Sequence, residues 1–417
     1  MKVQVVIVGA GAAGLVAALA ARDEGAEVLV LERDASPSGS TALSSGFIPA
    51  APTRFQHGDD SVERMFADIQ RKNHGEADAA VVRAACEASG PAIEWLADRH
   101  GVPFQLVEGF LYPGHSALRM HCVPEKTGSA LLASLLRACS GLDIVTSAHV
   151  KDVTEKQIRF ERPDGNSESV EYGALVLACS GFGGNPQMVR KYIPEIADAL
   201  YFGHAGNQGD ALRWGEALGA ATAHMGAYQG HGSVAVPHNI LITWALMMEG
   251  GIQVNAEGRR FSDETLGYSE QCLHVLQQPG RVAWCIYDQR LHELGMTFPD
   301  YRDAFEAGAV KPAPDLPHLE DTVSRTRLVP PLYGVKVTGA LFHTQGGLKI
   351  DSRARVLSKD GKPIPNLFAA GGAACGLSGS KVWGYLSGNG LLSAIALGRT
   401  AGKTAGVEAA KRERPAA

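Results

Sequence analysis

The segment Gly9-Ala10-Gly11-Ala12-Ala13-Gly14 limits what this chain can fold into more than any other. It follows Val3-Gln4-Val5-Val6-Ile7-Val8, a β-branched and apolar run that reads as a buried parallel strand. It opens an Ala- and Leu-rich stretch over 13–24 that reads as a helix, and residues 27–31 read as a second strand. Strand, glycine turn, helix and strand in this order make one right-handed crossover unit. Glycines here permit the tight turn and let backbone N–H groups approach a pyrophosphate at the helix N-terminus. Glu32 closes the second strand, where a carboxylate accepts hydrogen bonds from ribose hydroxyls and disfavours a 2′-phosphate. A dinucleotide site is therefore expected at Gly9, Gly11, Ala13, Gly14, Glu32 and the neighbouring Arg33.

Length adds the rest of the architecture. With 417 residues the chain is expected to hold two or three structural units. The α/β alternation runs over 1–225, fades over 226–330 where aromatic, His, Met and Pro residues become frequent, and returns over 331–417. The expected fold class is α/β: a Rossmann-type domain in two parts, 1–225 and 331–417, with a second domain inserted at 226–330. Helices are expected within 60–100, at 127–139, at 207–219 and at 388–405, and the last residues read as a polar tail. Charge is −5 with no basic stripe, which argues against nucleic-acid binding. The seven cysteines form no CxxC pair, so reduced thiols, no metal site and a cytoplasmic protein are expected. No apolar stretch reaches the ~18 residues of a membrane span.

Several further segments carry a family resemblance. Gly39-Ser40-Thr41-Ala42-Leu43-Ser44-Ser45-Gly46 is rich in small hydroxyl residues. Leu177 to Asn185, Gly206 to Ala211, Asn255 to Glu264, Gly347 to Asp351, Leu367 to Gly371 and Gly384 to Gly402 follow in order. Together they resemble the fumarate reductase / 3-ketosteroid Δ1-dehydrogenase group of flavoproteins. The resemblance implies FAD as cofactor and an α+β capping domain as the insertion. It implies cofactor contacts at Gly39, Ser40, Thr41, Ser45, Gly46, Ala178, Ser180, Gly181, Asn207, Gly209, Asp210, Gly371, Gly390, Leu391 and Leu392. Covalently flavinylated relatives carry a His in the first of these loops. Residues 36–46 contain none, so non-covalent FAD is expected.

The same resemblance directs attention to catalytic candidates. Tyr268, four residues after Glu264, stands where fumarate reductases carry a proton-delivering Arg, while ketosteroid dehydrogenases use a cap Tyr as base. His343 lies in a segment that in fumarate reductases binds a substrate carboxylate. Tyr385 and the Gly388 N–H fall near the groups that polarise a ketone in ketosteroid dehydrogenases. Arg119 and His121, Tyr112, and Tyr228 with His231 are further candidates for the pocket, and Lys381 is the nearest cation to the C-terminal segment. The expected reaction is dehydrogenation beside a carbonyl, with the α proton going to Tyr268 and the β hydride to flavin N5. The expected substrate is a small keto compound, and the electron acceptor is left open among a quinone, a carrier protein and O2. Fumarate-reductase-like reduction of an unsaturated acid and a flavin electron-transfer subunit are the alternatives.

Overall fold

The computed structural model describes residues 2–413. The expected strand Lys2–Val8 lies inside a sheet, with Val28–Leu31 and Ser167–Leu177 as parallel neighbours. Asp143–Val145 and Pro363–Ala369 extend the parallel part on either side. A continuous apolar run such as Val5-Val6-Ile7, wholly buried, suits a strand covered on both faces. The polar tail expected at the C-terminus lies, from residue 414 on, outside the described residues.

Helix Ala12–Asp23 covers one face of this sheet, and the C-terminal helix, residues 389–413, crosses it closely. Small residues make that crossing possible: a Cβ on Gly402 would stand 2.0 Å from the Ala17 carbonyl oxygen. The C-terminal helix carries a wider π turn at Ser393–Leu397, a feature found disproportionately near functional sites. The strand ends at Val8, Leu31, Leu177 and Ala369 all point to one edge of the sheet, where ligands bind in open parallel folds.

The second domain is built on a mostly antiparallel sheet. Its longest strand, Leu332–Thr344, pairs with Tyr228–Ala235 on one side and Val282–Asp288 on the other, and Ile252–Val254 follows. The boundary expected at 330/331 therefore falls one strand too early, because hydrogen bonding keeps 332–344 in the inserted sheet. Helix Tyr268–Leu276 packs onto this sheet at two glycines: a Cβ on Gly230 would meet Cys272 Cβ at 2.8 Å, and one on Gly339 would meet its carbonyl oxygen at 2.5 Å. That close seat fixes the first residue of the helix, Tyr268. Phe47, Phe110, Met120 and Tyr385 of the first domain join the core of the second, so the two pack against each other directly. All seven cysteines are free. Among the described residues no helix is long and apolar enough to cross a membrane, and no cluster of metal-ligating side chains occurs.

Candidate active site

One cavity of about 270 Å³ runs from the glycine turn to the inserted domain. At its first end the walls are mostly backbone. Gly9 has φ +104, and a Cβ there would stand 2.6 Å from the Ala178 carbonyl oxygen. A Cβ on Gly14 would stand 1.8 Å from the Gly9 oxygen. Both glycines are thus required by the protein's own packing. Gly11 is different: it lines the cavity, and its nearest protein neighbour would be Thr41 Oγ1 at 3.5 Å. The free space there suits a group that is not protein.

Side chains brace this turn from outside. The Ala10 N–H donates to Glu32 Oε2 at 2.8 Å, and the Asp34 N–H donates to Oε1 at 2.9 Å. A carboxylate offers about four lone-pair directions, so Glu32 keeps acceptors for ribose hydroxyls. Thr41 Oγ1 accepts from the Ala12 N–H at 3.0 Å, and Asn207 Nδ2 donates to Ser40 Oγ at 2.8 Å. Arg33 donates to the Gly206 carbonyl at 2.8 Å. Asp34 and His204, which the sequence did not single out, also stand in this wall, 3.0 Å apart. The start of the C-terminal helix brings Gly390 and Leu391, at the positive end of its dipole, to the cavity wall.

Ala13, Gly39, Ser45, Gly46, Ala178, Ser180, Asp210 and Gly371 line the cavity as well. Four expected cofactor residues do not. Gly14 lies behind Gly9. Gly181 is pressed against Thr344, where a Cβ would stand 2.0 Å from Oγ1, and Gly209 begins helix Asp210–Ala217 with φ +83. Leu392 turns into the core. Their roles are structural support for neighbours that do reach the wall.

At the second end the walls are aromatic. His343, Tyr385, Tyr268 and His231 form a row, with successive ring centroids 5.5, 6.1 and 4.5 Å apart and the last pair stacked at 14°. Ser387, the Tyr385 hydroxyl and the Gly388 N–H all donate toward the Tyr268 oxygen. Burial pushes the Tyr268 hydroxyl up to about 12, although these donors work against it. Burial also raises Tyr385, with Tyr268 beside it adding to the effect. Tyr112 shares this end and is raised by burial and by Tyr268. The two histidines go the other way: burial lowers His343 to about 4 and His231 to about 3. Both rings are neutral at pH 7 and act as hydrogen-bonding groups. Gln345 Nε2 lies 3.1 Å from His343 Nδ1, and the Gln345 side-chain oxygen Oε1 accepts from Ser378 Oγ at 2.7 Å. That orientation leaves the His343 proton on Nε2. Met120, Trp244 and Phe342 complete the wall. Met120 sits on a short strand of the first domain, Phe342 on the long strand of the second and Trp244 at the start of helix Ala245–Met248, and no local motif marks them.

Arg119 is not part of this wall. It is buried behind it, held bidentately by Asp60 at 2.8 and 3.0 Å and by Asp68 at 2.7 Å. An Arg satisfied by two carboxylates has no free face for a substrate anion, so its expected catalytic role is corrected. His121, hydrogen-bonded to Thr53 and to the Arg119 carbonyl, is also behind the wall, as is the buried Tyr228, while Lys381 is exposed and does not line the cavity. Among the described residues, Arg33 is the one Lys or Arg that lines the cavity, and it belongs to the first end.

A parallel-sheet dinucleotide site facing an aromatic pocket under an inserted domain defines a two-domain nucleotide-cofactor enzyme class. Residues 4–391 match the FAD binding domain family, and the chain belongs to that family. It is 29% identical to the NADH:fumarate oxidoreductase of Klebsiella pneumoniae over 98% of its own length, and spans 48% of that protein. It is 28% identical to the probable fumarate reductase Ifc3 of Shewanella frigidimarina, covering 96% of this chain and 74% of the relative. Among solved structures it resembles a flavocytochrome c3 fumarate reductase in an open conformation, with TM-score 0.83, 26% identity and coverage of 98% and 78%. It also resembles a 3-ketosteroid-Δ4-(5α)-dehydrogenase from Rhodococcus jostii, with TM-score 0.76, 26% identity and coverage of 97% of each chain. The chain falls in the same group of FAD-dependent oxidoreductases as these relatives.

Proposed function

We propose that this chain catalyses hydrogen transfer across a carbon–carbon bond next to the carbonyl of a small, uncharged compound, with Tyr268 as the proton-transfer residue. The observation that carries the reading is the second end of the cavity: aromatic, free of Lys and Arg among the described residues, with three donors gathered on one tyrosine oxygen. A carboxylate brought there would lose its hydration and find no cation in return, a cost of several kcal/mol on the scale of about 2–7 for an unpaired polar group and more for a charge. A neutral ketone or enone meets hydrogen-bond donors, His343 Nε2–H among them, and apolar walls.

Bound FAD supplies the partner for hydride transfer. The residues supply the rest. Gly9, Gly11, Glu32, Thr41 and the start of the C-terminal helix hold the cofactor. With no His in 36–46, they hold it without a covalent bond. Burial keeps Tyr268 protonated at neutral pH, so its own O–H is available for the substrate α-carbon in the direction of C=C reduction. Ser387, Tyr385 and Gly388 stabilise the tyrosinate that this donation leaves. In dehydrogenation that tyrosinate form takes the α proton and becomes neutral.

A second reading rests on the fumarate reductases among the relatives: reduction of an unsaturated acid, with His343 binding a carboxylate. An anaerobic screen separates the two. The flavin is reduced with dithionite, and its visible band is followed on adding 2-cyclohexen-1-one, fumarate or acrylate. Return of the band with the enone alone supports the favoured reading; return with fumarate alone replaces it with the second.

A further inference from the structure

The buried ion cluster behind the pocket has no part in the chemistry proposed so far. Asp60 and Asp68 enclose Arg119, and all three side chains are almost wholly buried. Such a cluster is expensive to desolvate and contributes little net stability, so its presence invites a positional explanation. The Ser116 N–H and hydroxyl donate to Asp68 Oδ2 at 2.9 and 2.8 Å, which fixes the carboxylate. One further contact leaves the cluster: Arg119 Nη1 lies 3.5 Å from His115 Nδ1. The other His115 nitrogen, Nε2, lies 2.9 Å from the Ser387 carbonyl oxygen.

These two contacts admit one protonation pattern. A guanidinium only donates, so Nδ1 is bare; a carbonyl only accepts, so Nε2 carries the proton. Burial and the adjacent Arg119 hold His115 down at about 4, so the ring is neutral. The Ser387 carbonyl belongs to the same peptide unit as the Gly388 N–H. In a trans peptide the two point in opposite directions. Fixing the carbonyl on His115, away from the cavity, aims the N–H at the Tyr268 and Tyr385 hydroxyls.

We propose that His115 is a positioning residue: through the Ser387 carbonyl it orients and polarises the Ser387–Gly388 peptide, and Arg119 with Asp60 and Asp68 sets the His115 tautomer that makes this possible. The inference rests on the functional reading above, since the Gly388 N–H matters for catalysis only if Tyr268 moves the proton. Gly388 itself is confined, with φ +83 and Pro49 packed where a Cβ would be. The C-terminal helix follows at once, and the Leu392 N–H donates to the Gly388 carbonyl at 2.9 Å. The peptide before it is therefore the adjustable one, and His115 is its external anchor.

Two variants test this on the FAD-loaded protein. In His115→Gln the side-chain amide keeps a donor near Nε2; in His115→Leu the donor is lost at similar volume. Single-turnover reoxidation of the reduced flavin by 2-cyclohexen-1-one is measured together with the amide proton shift of Gly388 by NMR. The expected result for His115→Leu is a rate constant lower by about 10- to 100-fold, the scale of losing one aimed donor. Half-saturating enone concentration and flavin content stay unchanged, Tm falls by only the few degrees that one unsatisfied buried carbonyl costs, the Gly388 amide proton moves upfield, and His115→Gln restores both rate and shift. A Gly388 shift that His115→Leu leaves in place, or a Gln variant as impaired as the Leu variant, overturns the inference. A wild-type protein with the expected Gly388 response whose reduced flavin ignores the enone contradicts the functional reading instead.

Discussion

The two ends of the cavity are built on different terms. At the cofactor end, geometry comes from backbone: Gly9 and Gly14 exist because a Cβ has nowhere to go, and Glu32 ties a strand end to the turn. At the substrate end, geometry comes from side chains brought together from residues 47, 112, 120, 231, 268, 343 and 385. Charge divides the same way. Glu32, Arg33, Asp34 and Asp210 stand at the first end, while the second holds neutral rings and hydroxyls whose ionisation burial opposes. The first end is a rigid mount for one cofactor; the second is a dry pocket in which small changes of donor placement alter chemistry.

The largest effects should come from the glycine turn. Gly14→Val is expected to yield no folded, yellow protein. Gly11→Ala should separate binding from folding: its Cβ meets no protein atom closer than 3.5 Å, so Tm of the flavin-free protein is unchanged while bound flavin absorbance is lost. If Gly11→Ala binds FAD as wild type does, the open space at Gly11 is not the cofactor's. Next in size is Tyr268→Phe, expected to lower enone-dependent turnover about 10²–10⁴-fold, the usual contribution of a general acid or base, with full flavin content. Retained activity would move the proton-transfer role elsewhere.

Acid should unfold the substrate side before it disturbs the turn. His115, His121, His231 and His343 have folded pKa values lowered to about 4, 4, 3 and 4, chiefly by burial. The unfolded chain therefore binds more protons below about pH 6.5. The stability these groups contribute is full above that pH and is lost as pH falls toward their folded values. Each contributes a slope of at most about 1.4 kcal/mol per pH unit. Urea midpoints measured from about pH 7.5 to 4.5 should fall steeply below about 6.5, and replacing one of these histidines by Gln should flatten the fall; a flat profile contradicts their neutral burial. The smallest effect is expected from Glu32→Gln, which keeps an acceptor for the Ala10 N–H but loses charge. FAD affinity by equilibrium dialysis should weaken about 10-fold, the scale of a hydrogen bond to a charged group.

The same contrast explains what could be read from sequence. The cofactor end is local: strand, turn, helix and Glu32 lie within 30 residues, and steric rules written into glycine spacing carry over directly to three dimensions. Motif register points to Tyr268, His343 and Tyr385, and all three line the one cavity. Arg119 looks like an anion-binding residue in sequence because nothing near it reveals Asp60 and Asp68, which hold its guanidinium. Gly181 and Gly209 read as contacts because a glycine required by Thr344 or by a helix start looks, in sequence, like a glycine required by a ligand. The strand Leu332–Thr344 reads as part of the first domain in sequence, since the partners that decide its sheet, from Asp288 opposite Leu332 to Tyr228 opposite Thr344, lie far from it along the chain.

The central claim is that burial holds Tyr268 protonated, near 12, as the donor to an uncharged carbonyl substrate. The most direct measurement is the pH profile of single-turnover reoxidation of the dithionite-reduced flavin by 2-cyclohexen-1-one. A group protonated below its pKa donates at full strength until pH approaches that value, so the rate constant should stay level from about pH 7 to 10 and fall only above the ordinary tyrosine range. A rate that falls through about pH 6 to 7, in the histidine range, would contradict the account and transfer the proton to His231 or His343.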